Sequence, residues 1–150
     1  MMAELYEQME EKSWFFPDTD EDVRTFITEK GFALKAMAGE EMAGFFFGYA
    51  PGDGEESLGV YKHFDEEEMK KVAHMETAMV APGFRGMGIQ RLLMSKAEET
   101  FKERGYIHLM GTAHPENVFS VNNFKKQGYE IVTEARKYGG LRRYVFYKRM

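Results

Sequence analysis

From Val80 to Gln90 the chain reads Val-Ala-Pro-Gly-Phe-Arg-Gly-Met-Gly-Ile-Gln, with glycines at 83, 86 and 88 just ahead of a helical pattern. A helix N-terminus carries unpaired backbone N–H groups and a partial positive charge, and glycines let an anion approach those donors with no Cβ in the way. The chemistry that such a turn performs is phosphate binding, and Gly86 and Gly88 stand where it is needed. A dinucleotide fingerprint would require a third glycine where Arg91 stands, and a triphosphate loop would require a Gly-Lys-Ser/Thr sequence that is absent. Two glycines alone fit a plain tight turn equally well, so neighbouring residues must decide. Metal chemistry is not expected, because the chain has no cysteine and His108 and His114 lack Cys or acidic neighbours at ligand spacing.

The elements that must hold this turn follow from the patterns around it. Val72 to Val80 is a β-compatible run ended by Pro82. Beyond Gly88 the residues Ile89, Leu92, Leu93, Ala97, Thr100 and Phe101 recur at helical spacing until Gly105 stops them. Tyr106 to Ala113 is a second apolar run, so strand, helix and strand with short connections form one right-handed parallel βαβ unit. A shorter helix from about Asn117 to Gln127 closes at Gly128, and strands Tyr129 to Arg136 and Leu141 to Tyr147 flank a Gly139-Gly140 turn. On the N-terminal side, Glu4 to Lys12 has a polar-rich helical pattern, and a second helix capped near Asp18 or Thr19 runs to Lys30. Phe32 to Met37 and Met42 to Ala50 form a hairpin through Gly39-Glu40, followed by a loop from Pro51 to Gly59 and a short helix around Asp65 to Lys71. The expected fold is mixed α/β of the α+β-like kind: antiparallel strands first, then a parallel pair, with flanking helices, in one domain over residues 1–150.

Composition narrows the partners. At 150 residues with 43% hydrophobic side chains the chain can bury one sizeable core. Its apolar stretches fall short of the roughly 20 residues of a membrane span, and its acidic start lacks the regions of a secretory signal. A net charge of −5 with scattered basic residues argues against nucleic acid. The absence of cysteine points to the cytoplasm.

The glycine turn and a second segment together resemble the GNAT superfamily of N-acetyltransferases. That family's pyrophosphate motif is Gln/Arg-x-x-Gly-x-Gly/Ala after a strand ending Val-x-Pro, matched here from Val80-Ala81-Pro82 through Arg85-Gly86-Met87-Gly88-Ile89-Gln90. Its later Asn-x-x-Ala-x-x-x-aromatic segment, ending in Gly-aromatic, is matched by Asn117, Ser120, Phe124, Gly128 and Tyr129. The final residue of the first motif departs, as Gln90, and the usual tyrosine of the second is Phe124. The resemblance spans about Val72 to the C-terminus.

This resemblance implies a GNAT-type central mixed sheet whose parallel strands, Met75 to Val80 and Tyr106 to Ala113, splay apart around acetyl-CoA. The amides of Arg85, Gly86, Met87, Gly88, Ile89 and Gln90 would face the pyrophosphate. Backbone groups at Met79 and Val80 would bond the pantetheine and polarise the thioester carbonyl. Asn117 and Phe124 would border the cofactor, Asn117 serving also or instead as an N-cap. An amine is protonated at neutral pH and needs a base before it attacks. Glu76, read as sharing a strand face with His74, Ala78 and Val80, is the first candidate and His74 the second; the competing readings of Glu76 are a plain exposed strand acid or a partner of His74. Phe124 donates no proton, so Ser120, Tyr129 or Tyr138 replaces the family's acid, or none does. Trp14, Phe16 and Tyr138 are expected near the acceptor. The expected reaction is direct attack of a small-molecule or peptide amine on acetyl-CoA in a ternary complex, and nothing in the sequence forbids a homodimer. A non-catalytic acyl-CoA-binding module, motivated by Phe124, is the alternative.

Overall fold

The computed structural model describes residues 30–52, 56–137 and 140–150. The two N-terminal helices expected from sequence, with Trp14 and Phe16, lie outside these residues, as does Tyr138.

Six strands among the described residues form one sheet, in the order β1-β2-β3-β4-β6-β5. The strands are β1 (Gly31–Ala38), β2 (Glu41–Tyr49), β3 (Val72–Val80), β4 (His108–Ala113), β5 (Glu130–Lys137) and β6 (Leu141–Arg149). Every neighbouring pair is antiparallel except β3 with β4. Three α-helices among the described residues accompany them: α1 (Glu66–Met69), α2 (Ile89–Glu103) and α3 (Val118–Lys126). The mixed sheet with antiparallel strands leading into one parallel pair is the fold class expected from sequence.

Helix α2 forms because its buried positions, Leu93, Met94, Ala97 and Phe101, make one stripe at a spacing of four with one flanking neighbour. Leu92, expected on that stripe, is instead 65% exposed; it lies about 100° round the helix from Leu93, and Met94 takes the buried place. The stripe packs with Phe32, Phe46, Met75, Leu109, Phe124 and Phe146 into the main core on one face of the sheet. On the other face, Leu58, Val72, Met110 and Val145 are covered by Tyr61, Phe64 and Tyr147.

That second face is closed by the segment from Ser57 to Lys71. Ser57 caps a 3-10 turn, Leu58–Lys62, by accepting from the Gly59 N–H, and Asp65 caps α1 by accepting from the Glu68 N–H. Two histidines of the sheet hold the segment down. His74 Nε2 accepts from the Leu58 N–H at 3.0 Å. His108, 3% exposed, meets Glu68 Oε2 at 2.6 Å and Tyr147 Oη at 2.8 Å through its two nitrogens, with the Phe64 ring stacked on it at 4.2 Å.

Candidate active site

Strands β3 and β4 pair only through Val72–His108, Ala73–Leu109 and His74–Met110. Each continues, β3 to Val80 and β4 to Ala113, with its outer neighbour still in register: Val80 opposite Gly44 on β2, and Ala113 opposite Tyr144 on β6. The two strands therefore stay in the sheet while parting from each other. Backbone groups on the facing edges beyond His74 and Met110 lose the ladder partner that a continuous sheet would supply. This is the wedge expected between Met75–Val80 and the end of β4.

At the mouth of the wedge β3 carries an extra residue. Its pairing with β2 runs Phe47–Thr77 and then Gly48–Met75, which leaves Glu76 unopposed. A bulge of this kind inverts the alternation of faces beyond it. Ala73 and Met75 lie on the α2 side, and after the bulge so does Ala78, whereas Met79 packs on the other face with Phe45 and Phe47. The sequence expectation that Glu76, His74, Ala78 and Val80 share one face is thus corrected: the bulge puts Ala78 opposite to His74. Glu76 retains 21% side-chain exposure, and its Oε2 lies 3.4 Å from His74 Nδ1. His74 also bonds the Leu58 N–H through Nε2, so neither of its nitrogens is open to serve as a base.

Past Val80, Pro82–Phe84 makes a 3-10 turn that delivers the chain to the glycines. Gly86 and Gly88 have φ of +82° and +77°, a region that a side chain enters only with strain. A Cβ at either would meet nothing within 4 Å, so the space over these backbones is open. Gly88 begins α2 with no side-chain cap. The first intrahelical bond is Leu92 N–H to the Gly88 carbonyl at 3.0 Å, so the amides of Ile89, Gln90 and Arg91 have no intrahelical acceptor. Arg85 and Met87 are exposed beside them, and Ile89 and Gln90 are half-buried. Open space, turned-out amides and a helix dipole fit a pyrophosphate.

Across the wedge, Asn117 caps α3 through Oδ1, which accepts from the Ser120 N–H at 3.3 Å. Ser120 is half-buried. Phe124 is buried, stacked on Phe146 at 4.5 Å, and offers only an apolar ring. Tyr129 does not replace it: its hydroxyl donates to Glu98 Oε2 at 2.7 Å, Lys148 holds the other oxygen at 2.9 Å, and burial with the Glu98 charge drives the phenol pKa far up. That hydroxyl is committed to α2.

Sequence reasoning missed the bulge and the Leu58 contact, because neither a skipped pairing nor a bond across 16 residues leaves a local pattern. It also set His108 aside after finding no metal pattern. No group of three or more His, Asp or Glu side chains among the described residues could hold a metal ion, and no described helix is long and apolar enough to cross a membrane.

The fold recurs in solved acetyltransferases. The ribosomal-protein-S18-alanine N-acetyltransferase from Escherichia coli superposes with a TM-score of 0.68 at 16% identity, covering 89% of this chain and 78% of that one. The PaiA N-acetyltransferase from Thermoplasma acidophilum, in complex with coenzyme A, gives 0.62 at 17% identity over 87% and 68%. A chain of the NatC complex bound to a Gag peptide and CoA gives 0.74 at 13% identity over 99% and 87%. A search of curated proteins found no match. At the level of sequence, residues 1–129 match the model of the acetyltransferase (GNAT) family. The chain therefore belongs to the GNAT acetyltransferase family, an acyltransferase that takes its acetyl group from acetyl-CoA and passes it to an amine.

Proposed function

We propose that Glu76 is the general base of this reaction and that the acceptor is a primary amine of a peptide or small molecule. The observation that carries this reading is the placement of Glu76: an ionisable side chain on the unopposed residue of β3, two residues past the last β3–β4 pair, with partial solvent access. A lysine-like ammonium has a pKa of about 10.4, so the nucleophile must lose a proton on the enzyme, and a carboxylate can accept it directly or through one water.

The remaining roles follow from the wedge. Amides from Gly86 to Gln90, with the charge of Arg85, hold the pyrophosphate. Backbone groups at Met79 and Val80 orient the pantetheine and receive the developing negative charge on the thioester oxygen, where fixed dipoles are most effective. Asn117 borders the same channel from α3. Phe124 lends an apolar wall and no proton. Ser120, one turn before it, supplies a hydroxyl for the departing sulfur, which leaves readily because a thiol ionises near pKa 8.5. Trp14, Phe16 and Tyr138 remain the acceptor contacts that the family resemblance suggests. A peptide amine gains support from two of the compared structures, one named for a ribosomal-protein alanine and one holding a Gag peptide. The cysteine-free sequence suits a reducing, cytoplasmic setting.

Coenzyme A release from acetyl-CoA, followed across a panel of small amines and short peptides, tests the assignment. Glu76→Gln should cost about 10²- to 10⁴-fold in kcat with little change in KM for acetyl-CoA. An unchanged kcat removes Glu76 as base, and no release with any amine removes this choice of acceptors.

A further inference from the structure

Glu76 stands on a bulge, so no ladder pairing fixes it, and a carboxylate on two methylenes has rotamers to spare. Its partner among the described residues is His74. That imidazole is 5% exposed and lies edge-on to Tyr49, with ring centroids 6.4 Å apart. Its Nε2 receives the Leu58 N–H at 3.0 Å. A backbone amide can only donate, so Nε2 must be the bare nitrogen, and the one proton of the neutral ring then sits on Nδ1. Nδ1 faces Glu76 Oε2 at 3.4 Å, and a carboxylate can only accept. The donor sense therefore runs one way, from the Leu58 amide to His74 and from His74 to Glu76.

We propose that His74 is the positioning residue for acyl transfer: a neutral imidazole, fixed by the Leu58 amide as its Nδ1–H tautomer, that pins one oxygen of Glu76 and leaves the other to take the proton from the amine. This rests on the reading of Glu76 as base. His74 has no proton-accepting nitrogen of its own to offer, so its contribution passes through Glu76. At 3.4 Å the Nδ1 to Oε2 contact is longer than a formed hydrogen bond, and the proposal has it shorten into one when substrate binds. The arrangement also links His74 to the segment that begins at Ser57, through the Leu58 N–H.

Two substitutions divide the ring between them. His74→Gln keeps an acceptor where Nε2 was and loses the donor toward Glu76; His74→Asn keeps a donor where Nδ1 was and loses the acceptor for Leu58. For His74→Gln we expect a near wild-type melting temperature, an unchanged KM for acetyl-CoA and a kcat lower by up to about 10²-fold, the scale of a misplaced group. For His74→Asn we expect a lower melting temperature, because the Leu58 N–H is left buried without a partner, but a kcat within about threefold of wild type when measured well below its melt. In a Glu76→Gln background, His74→Gln should bring no further loss of kcat. Nitrogen-15 spectra of the histidine rings should show His74 with the proton on Nδ1 and Nε2 bare. The proposal is overturned if kcat falls equally in both variants in step with their melting temperatures, if the two losses add in the double variant, or if Nε2 carries a proton. Failure of the underlying reading looks different: wild-type kcat in Glu76→Gln alone refutes the base and the positioning role together, whereas a crippled Glu76→Gln beside an intact His74→Gln refutes only the positioning role.

Discussion

The Phe124 ring lies flat on Phe146 and reaches β4 so closely that a Cβ on Gly111 would come within 2.7 Å of its Cζ. Gly111→Ala should therefore lower stability by about 1–3 kcal/mol through overpacking, read as a shift of the denaturant midpoint at unchanged slope, and Phe124→Leu in the same chain should recover part of it. At Glu68 the expectation concerns pH. The hydrogen bond from His108, helped by the Lys71 charge, holds the Glu68 carboxyl below its ordinary value of 4.5. A carboxyl with its folded-state value depressed stabilises the fold above the unfolded value and loses that contribution as pH falls through the folded one. Glu68→Gln should thus be less stable than wild type at neutral pH, and denaturation curves of the two should converge as pH drops below 4.5. Individual residues were the least legible part of the sequence. The residue types of Glu76 and His74 were visible as candidate bases, but their division of labour depends on which nitrogen of His74 meets Leu58.

Helix α2 and its glycine turn were legible because punctuation and pattern agree there: Pro82 ends a strand, Gly88 opens a helix, Gly105 closes it, and the buried stripe between has one period. The bounds of β3 were equally clear. The bulge inside β3 was not, since Val72 to Val80 places apolar side chains on both faces and a buried strand shows no alternation for an extra residue to break. The turn itself can be tested as a unit. Gly88→Val forces a β-branched residue to φ near +77° and places carbon over amides that the pyrophosphate needs. We expect KM for acetyl-CoA to rise at least about tenfold, a loss near 1.4 kcal/mol of binding, with kcat at saturation much less affected. Gly88→Asn, whose side chain tolerates that backbone region, should show the smaller change of the two.

At the scale of the whole sheet, the wedge interrupts a ladder in the middle, where sheets are ordinarily most protected. Amide exchange followed by mass spectrometry should find β3 from Val72 to His74 and the β4–β6 pair slow, and the strand ends beyond the wedge faster than their central place suggests. Addition of coenzyme A should slow Met79 and Val80 together with Gly86 to Gln90, and leave the edge strands β1 and β5 unchanged. The strand order itself was only partly legible. Hairpins and the parallel unit are local and follow from short connections, but nothing in the sequence announces that β6 enters between β4 and β5. That insertion bears on how the protein is made. As the chain leaves the ribosome, β4 and β5 are both complete before the strand that joins them exists. Until residues 141–149 emerge, β4 keeps an open edge carrying Leu109 and Met110, a site at which a nascent chain pairs with the wrong neighbour. Of the six described strands, the last to be synthesised is the one that joins β4 to β5.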